Sequence, residues 1–361
     1  GTPGAPISRR SPEVIACAST SAPGISTSAA DVATTVLVTG SVITEQRMHF
    51  PGRFADQLVA GRLRQVSLSF LVDDLVVRPG GTAAAVAYGL GVLGAAPVLV
   101  AAVGADFAEH RAWLERHGVD CAGVRVTATA PTARVVTTVD DTGSRITSVH
   151  PGALPETRTI ALNPLAAAHV PELVHVGAGD PGAMLAHTAQ ARALGLPFAA
   201  DPAHALEQLD REHCRALIDG ARWLFTDEDG WQLLLQRTGW SAEEVASRVG
   251  TRVTTLGAKG SLLVTDDAGI HVGAVPARGV ADPTGAGDGF RAAFLAGILH
   301  GLGPERAAQL GALVAAKVLE SSGALAWRPD PDDDLSRVAA AYGQQAAAEL
   351  APVLTAGRVL S

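Results

Sequence analysis

The chain has 361 residues, 47% of them apolar, 18% charged and only 4% aromatic, with a net charge of −8. This length and composition suit one large α/β domain with at most a small appendage, its core built from Ala, Val and Leu, and they exclude a disordered chain. The acidic balance, without any block of Lys and Arg, argues against a nucleic-acid partner, and no apolar run is long enough for a membrane span.

Residues 1–34 are rich in Ser, Thr, Ala, Pro and Gly without periodicity and read as a disordered tail. A β-branched run, Val36 to Thr39, closed by Gly40, predicts the first strand. The alternation in Val66-Ser67-Leu68-Ser69-Phe70 predicts a half-buried strand. Gly80-Gly81 opens a helix of small residues (TAAAVAYGLGVLGA), and Val98 to Val103 reads as a buried strand. Residues 133–149 predict a hairpin around the turn Asp140-Asp141-Thr142-Gly143. From about residue 170 onward strands and helices alternate. LVHVGAG is a strand, AMLAHTAQARALG a helix, PFAADP a strand ending at Asp201, ALIDGARWLFTDEDG a helix and strand, and VTTLGAKGSLLV a strand, turn and strand. Such alternation predicts a mainly parallel sheet covered on both faces. Cys17, Cys121 and Cys214 form no paired motif, which fits a reducing, cytoplasmic location.

The densest chemical signal is Ala281-Asp282-Pro283-Thr284-Gly285-Ala286-Gly287-Asp288-Gly289-Phe290, followed by an amphipathic helix. Amides at a helix N-terminus lack internal acceptors, and glycines let them approach an anion closely. Charge on a transferring phosphoryl group can be stabilised there without a lysine. Asp288, inside the first turn, can take the proton of an accepting hydroxyl. A bland alternative is an ordinary helix behind a glycine-rich turn. Gly80-Gly81, some 200 residues earlier, either admits a ligand to the backbone or serves tight helix–sheet packing. The histidines show no metal-ligand spacing, and His204, just after Asp201-Pro202, is the one placed to touch a substrate.

The two glycine motifs in this order, with Thr255-Leu256-Gly257-Ala258-Lys259-Gly260 and Asp201-Pro202, resemble the ribokinase (phosphofructokinase-B) family. Further segments (VTGSVITEQRMHFPGRFADQL, HPGALPE, LFTDEDGWQLLLQRTGWS, LGALVAAKVLESSGA) resemble bacterial adenosine kinases from Val36 to about Leu350. The resemblance implies a three-layer α/β/α sandwich over residues 35–350, with a small β-sheet lid from about 41–78 and 125–150 and a C-terminal tail at 351–361. It implies MgATP as donor, a nucleoside or sugar hydroxyl as acceptor, and K⁺ as a monovalent cation near the catalytic loop. Apolar lid strands with free edges further point to a homodimer through the lid.

Residue by residue, the resemblance makes Asp288 the base and Gly285, Ala286 and Gly287 the anion hole. Asp227, Thr255, Gly257, Gly260 and Thr284 fall on ATP-binding positions. Ser41, Glu45, Gly80, Gly81, Ala85, Arg134, Val135, Val149 and His204 fall on the acceptor side. Arg134 is open to two readings, a phosphate or substrate contact and a solvated hairpin charge. Metal ligands are left unassigned. The departures from the family gather on the acceptor side: Glu45 replaces an Asp, Ala85 an Asn, and Val135 and Val149 stand where aromatics would stack a purine. Asp227-Glu228-Asp229-Gly230 also lacks the final carboxylate of the family's Asn-x-x-Glu. The expected function is ATP-dependent phosphotransfer to the hydroxymethyl group of a nucleoside, adenosine-like or modified, with weak binding of adenosine itself. The alternatives are a furanose sugar kinase and a catalytically impaired nucleotide-binding relative.

Overall fold

A computed structural model describes Gly1 and residues 34–57, 68–265 and 268–357. The chain divides into two units, Gly1–Val32 and Ala33–Ser361, and the second carries everything that follows. The expected tail at 1–34 lies almost wholly outside the described residues, as do Val66 and Ser67.

The described residues contain thirteen strands: β1 (Thr35–Thr39), β2 (Ile43–Phe50), β3 (Asp74–Gly80), β4 (Ala96–Gly104), β5 (Val124–Thr127), β6 (Ala133–Asp140), β7 (Arg145–His150), β8 (Leu173–Val176), β9 (Phe198–Ala200), β10 (Trp223–Asp227), β11 (Thr251–Thr255), β12 (Ser261–Thr265) and β13 (Ala268–Val272). Nine form one sheet in the order β13-β12-β11-β10-β9-β8-β1-β4-β5. Every pairing from β11 to β5 is parallel, and β12 and β13 return antiparallel at one edge. Side chains alternate faces along a strand, so Val36 and Val38 enter one core while Leu37 enters the other. Helices Thr82–Val92, Ala286–Leu299, Pro304–Glu320 and Gln344–Ala356 cover the first face, and Pro181–Ala193, Arg211–Ile218 and Glu228–Thr238 the second. No described helix is long and apolar enough to cross a membrane.

The second sheet has the order β3-β2-β6-β7, with β2 parallel to β6 and the other pairs antiparallel. It is a small sheet apart from the large one, as expected of the lid, although β5, at the start of the expected lid range of about 125–150, pairs with β4 in the large sheet; β6–β7 is the hairpin turned at Asp140–Gly143. Of the strand expected at Val66–Phe70, the described residues Leu68 to Phe70 carry no strand, and pairing starts at Asp74. Phe70 instead packs its ring 4.9 Å from Phe50 and 5.1 Å from Phe54, so its apolar character serves a small aromatic cluster. The boundary drawn at residue 350 also falls inside a helix, because Gln344–Ala356 continues and buries Val353 and Leu354.

Small residues bring the two glycine motifs together. A Cβ on Gly89 would lie 2.5 Å from the Ala292 Cβ, so helices Thr82–Val92 and Ala286–Leu299 touch at near-backbone distance. The contact falls a similar distance into each helix. Arg78, just before the first, bonds to Asp282, just before the second. The two helix N-termini therefore lie side by side at the carboxyl edge of the sheet, where ligands of open α/β sheets gather.

Candidate active site

Gly285 caps helix Ala286–Leu299 at φ +82°, a left-handed conformation that a side chain would strain. A Cβ there would also meet the Ala324 Cβ at 2.2 Å, so loop 321–325 backs the glycine turn directly. The first helical bond runs from the Gly289 amide to the Gly285 carbonyl. The amides of Gly287 and Asp288, in the first turn, have no acceptor within the helix, the arrangement an anion would need there. Asp282 shapes the approach, accepting the Thr284 amide on Oδ1 at 2.8 Å.

Asp288 sits in that first turn with its side chain 16% exposed. Arg291, one turn on, places Nη1 3.6 Å from Asp288 Oδ1 and Nε 2.9 Å from Asp201 Oδ2. The longer distance leaves Asp288 near a cation without a short bond to lock it. Burial pushes the Asp288 carboxyl up to about 7; Arg291 pulls it down and Asp201 adds to the rise. Asp201 is buried at the end of β9, its own carboxyl raised by burial against the pull of Arg291, and its Oδ1 has no hydrogen-bond partner. Such a pair around one arginine, Asp201 past a strand end and Asp288 in a helix turn, leaves Asp288 the carboxylate free to exchange a proton near neutral pH.

Neighbouring strand ends carry the expected donor-side residues. Asp227 ends β10 opposite Thr255 at the end of β11. Asp227 Oδ1 accepts the Gly230 amide at 2.6 Å, capping helix Glu228–Thr238, and a Cβ on Gly230 would crowd that oxygen at 2.8 Å. Gly230 therefore stands where a longer residue would disturb the cap. Gly257, at φ +59°, and Gly260, at φ +97°, bound the turn that joins β11 to β12, and a Cβ on Gly260 would strike the Val272 carbonyl at 2.0 Å. Thr284 lies exposed on the glycine loop.

On the acceptor side, Gly81 (φ +106°) caps helix Thr82–Val92, and a Cβ there would lie 2.4 Å from the Ser41 carbonyl oxygen. Ser41 Oγ accepts the Thr82 amide at 3.1 Å. Gly81 packs the helix end on the β1 loop, as the packing reading of the pair expects, while a Cβ on Gly80 would meet only Ile43 at 3.5 Å. Ala85, in the first turn of that helix, is buried in the core. Arg134 reaches Asp106 Oδ2 at 3.2 Å, while Asp106 also holds the Thr132 amide and hydroxyl. His204 is exposed next to Asp201.

The lid register aligns the rest. Arg78 of β3 lies opposite Glu45 of β2, Glu45 opposite Val135 of β6, and Val135 opposite Val149 of β7. Residues directly opposite share a face, so these four form one row across the sheet. At its end, Arg78 donates from Nε to Glu45 Oε2 at 2.7 Å, from Nη2 to Asp282 Oδ2 at 2.5 Å and from Nη1 to the Ser322 carbonyl at 2.5 Å. That row therefore faces the glycine loop. Val149 is 67% exposed, as an apolar wall of an open cleft would be.

Arg291 and Arg78 had no part in the sequence expectations, and Asp282 entered them only as a member of the glycine motif. A charge pair at i, i+3 signals Arg291 from Asp288. Nothing local signals Arg78, whose partners lie 204 and 244 positions away. His175, expected to be a satisfied structural residue, is fully buried on β8 with both ring nitrogens unpartnered; burial, then Arg291, hold its pKa at about 3 and the ring neutral.

A profile of the pfkB family of carbohydrate kinases matches residues 52–331. The nucleoside kinase of Methanothermobacter thermautotrophicus is 30% identical over 271 residues, covering 74% of this chain and 86% of the relative. The Burkholderia thailandensis nucleoside kinase, solved in complex with inosine, superposes with a TM-score of 0.76 at 30% identity, over 86% of this chain and 98% of that one. The ribokinase of Thermotoga maritima shares the fold, with a TM-score of 0.68 at 21% identity over 85% of this chain and 99% of that one.

Proposed function

The chain belongs to the pfkB family of carbohydrate kinases and is an ATP-dependent kinase, and on that premise we propose that it transfers the γ-phosphate of ATP to the hydroxymethyl group of a nucleoside, with Asp288 as the base. The observation that carries this reading is the pairing of a free-amide helix N-terminus with a carboxylate raised to about 7 in the same turn. The acceptor hydroxyl gives its proton to Asp288 as its oxygen attacks the phosphorus in line. The Gly287 and Asp288 amides hold the equatorial oxygens, with the helix dipole behind them. Similarity to the nucleoside kinases of Methanothermobacter and Burkholderia supports a nucleoside over a furanose as acceptor, and the intact donor end argues against an impaired relative.

Mg²⁺ enters as part of the substrate MgATP. Among the described residues no three His, Cys, Asp or Glu side chains converge on a point. A magnesium ion riding on phosphates needs only one or two carboxylates and keeps several waters. Asp227 and the unpartnered Oδ1 of Asp201 are the groups offered. Thr255, Gly257, Gly260 and Thr284 are assigned to ATP, and Ser41, Gly81, Glu45, Val135, Val149 and His204 to the acceptor. The valine pair gives a purine no aromatic face, so adenosine binds weakly. The opposite lid face exposes Leu75, Val77 and Ile146, the surface assigned to a homodimer of this cytoplasmic enzyme.

The test is an ADP-release assay with MgATP across purine and pyrimidine nucleosides, their analogues and furanoses. Turnover of a nucleoside is the expected result. Turnover of a furanose alone transfers the reading to a sugar kinase, and silence with ATP binding retained overturns it.

A further inference from the structure

A monovalent cation beside the catalytic loop would need a cage of oxygen atoms there, and both Asp282 side-chain oxygens and the Ser322 carbonyl are already engaged. Asp282 commits Oδ1 to the Thr284 amide and Oδ2 to Arg78. The Ser322 carbonyl accepts the other Arg78 terminal nitrogen. Arg47 Nη1 stands a further 3.6 Å from Asp282 Oδ2. A potassium ion placed there would displace hydrogen bonds and face two guanidinium groups. The residues do not fit it.

We propose that Arg78 is a positioning residue that acts as the resident cation of the catalytic loop, carried there by the lid, and that phosphotransfer in this chain therefore runs without K⁺. Resting on the kinase reading above, this assignment follows from where the guanidinium sits. Its three nitrogens satisfy Glu45, Asp282 and Ser322 in one plane-filling set, the geometry a guanidinium suits and an ammonium does not. Gly323 makes room for it: at φ +147°, a Cβ there would lie 3.0 Å from Arg78 Nη1. The next residue, Ala324, is the one packed on Gly285. Arg78 is thus one residue away from the cap of the anion-binding helix. Its charge offsets the Asp282 carboxylate, which would otherwise repel the phosphates entering the same loop. It also fixes the carboxylate whose other oxygen holds the Thr284 amide.

The lid origin of the charge has a second effect. Arg78 belongs to β3 and is bonded to Glu45 across the β2–β3 ladder, in the row with Val135 and Val149. A nucleoside that closes the lid by filling that row seats the guanidinium on the loop. A lifted lid leaves the loop anionic, so ATP is poised for transfer only when an acceptor is present.

The wild-type enzyme, assayed with its accepted nucleoside in the chlorides of K⁺, Na⁺ and tetramethylammonium at equal ionic strength, is expected to turn over within about twofold of the same rate, far below the 10–100-fold effects that supporting groups around a site exert. Arg78→Ala is expected to lose about 10–100-fold in kcat with a smaller change in ADP affinity, and to regain activity with K⁺ or low guanidinium but not with tetramethylammonium. Arg78→Lys restores the charge without the planar three-partner geometry and is expected to recover part of the rate without K⁺. A melting curve supplies a readout that needs no turnover: K⁺ over tetramethylammonium raises Tm for Arg78→Ala and leaves the wild type unmoved. Strong K⁺ activation of the wild type, or a K⁺-specific rise in its Tm, overturns the proposal. So does an Arg78→Ala variant that keeps its kcat, or one that no cation and no lysine rescues. Because the Tm arm stands without any acceptor, a failure of the nucleoside-kinase reading is told apart from a failure of this one.

Discussion

At the carboxyl edge of the large sheet the functional groups are main-chain amides and strand-end carboxylates; across the lid they are side chains on a sheet exposed on both faces. The glycine loop of the donor end is contiguous in sequence and is held by close packing, Gly89 against Ala292 and Gly285 against Ala324, where an added Cβ meets a neighbouring alanine. The lid row of Arg78, Glu45, Val135 and Val149 comes from four strands, and its outer members touch solvent. The difference separates what the enzyme does from what it does it to. Chemistry rests on geometry that tolerates little change, while acceptor choice rests on side chains that can be exchanged without disturbing the core.

The sharpest test of the donor end is Asp288→Asn. It keeps the shape and removes the base, so kcat is expected to fall about 10²–10⁴-fold, with ADP affinity by calorimetry within a few-fold of wild type. A variant within tenfold of the wild-type rate would remove Asp288 from the mechanism.

Two glycines with nearly the same backbone set the regions side by side. Gly285 has φ +82° and a Cβ position against Ala324; Gly143, at the lid hairpin, has φ +81° and open space. Gly143→Ala is expected to cost about 1 kcal/mol for the left-handed conformation alone. Gly285→Ala is expected to cost roughly 1–3 kcal/mol or more by thermal melting, and to lower kcat as the amides move. Equal effects would mean that the lid tip is as tightly specified as the anion-binding turn.

On the lid, Val149→Tyr restores an aromatic face in the row. It is expected to tighten a purine nucleoside by about 1 kcal/mol, the lower end for base–aromatic stacking, seen in KM with kcat unmoved. No change in KM would show that the row is not the acceptor wall. The smallest effect is on pH dependence. A carboxylate raised to about 7 is competent as a base only when deprotonated, so kcat/KM is expected to climb through neutral pH and level off above it. Arg291 favours the charged form, so Arg291→Gln moves that rise to higher pH; an unmoved profile would dissociate the two.

The same contrast explains how much was legible from residue order. The turn Asp282–Asp288 shows itself because its chemistry lies in consecutive residues, and the strand–helix alternation reveals the sheet because each buried strand is a short apolar run. The lid segments were recognisable, but their register was not, since pairing Glu45 with both Arg78 and Val135 depends on the whole lid assembling. Glu45, expected to grip the acceptor, has one oxygen on Arg78, which no spacing rule predicts. Phe70 shows the reverse limit: alternation around it suggested a strand, yet its ring is claimed by Phe50 and Phe54.

The parallel pairing of β2 with β6 also fixes an order of events in folding. Ile43 bonds beside Ala133, and between them run β3, β4, β5 and the helix that carries the first glycine motif. The ladder closes only after those elements have brought its halves within reach. Its strands are more exposed than the buried β1 and β8, so the lid is the sheet expected to open first. Amide exchange at β2 and β6 should report openings well short of global unfolding, while β1 and β8 exchange only when the whole domain comes apart.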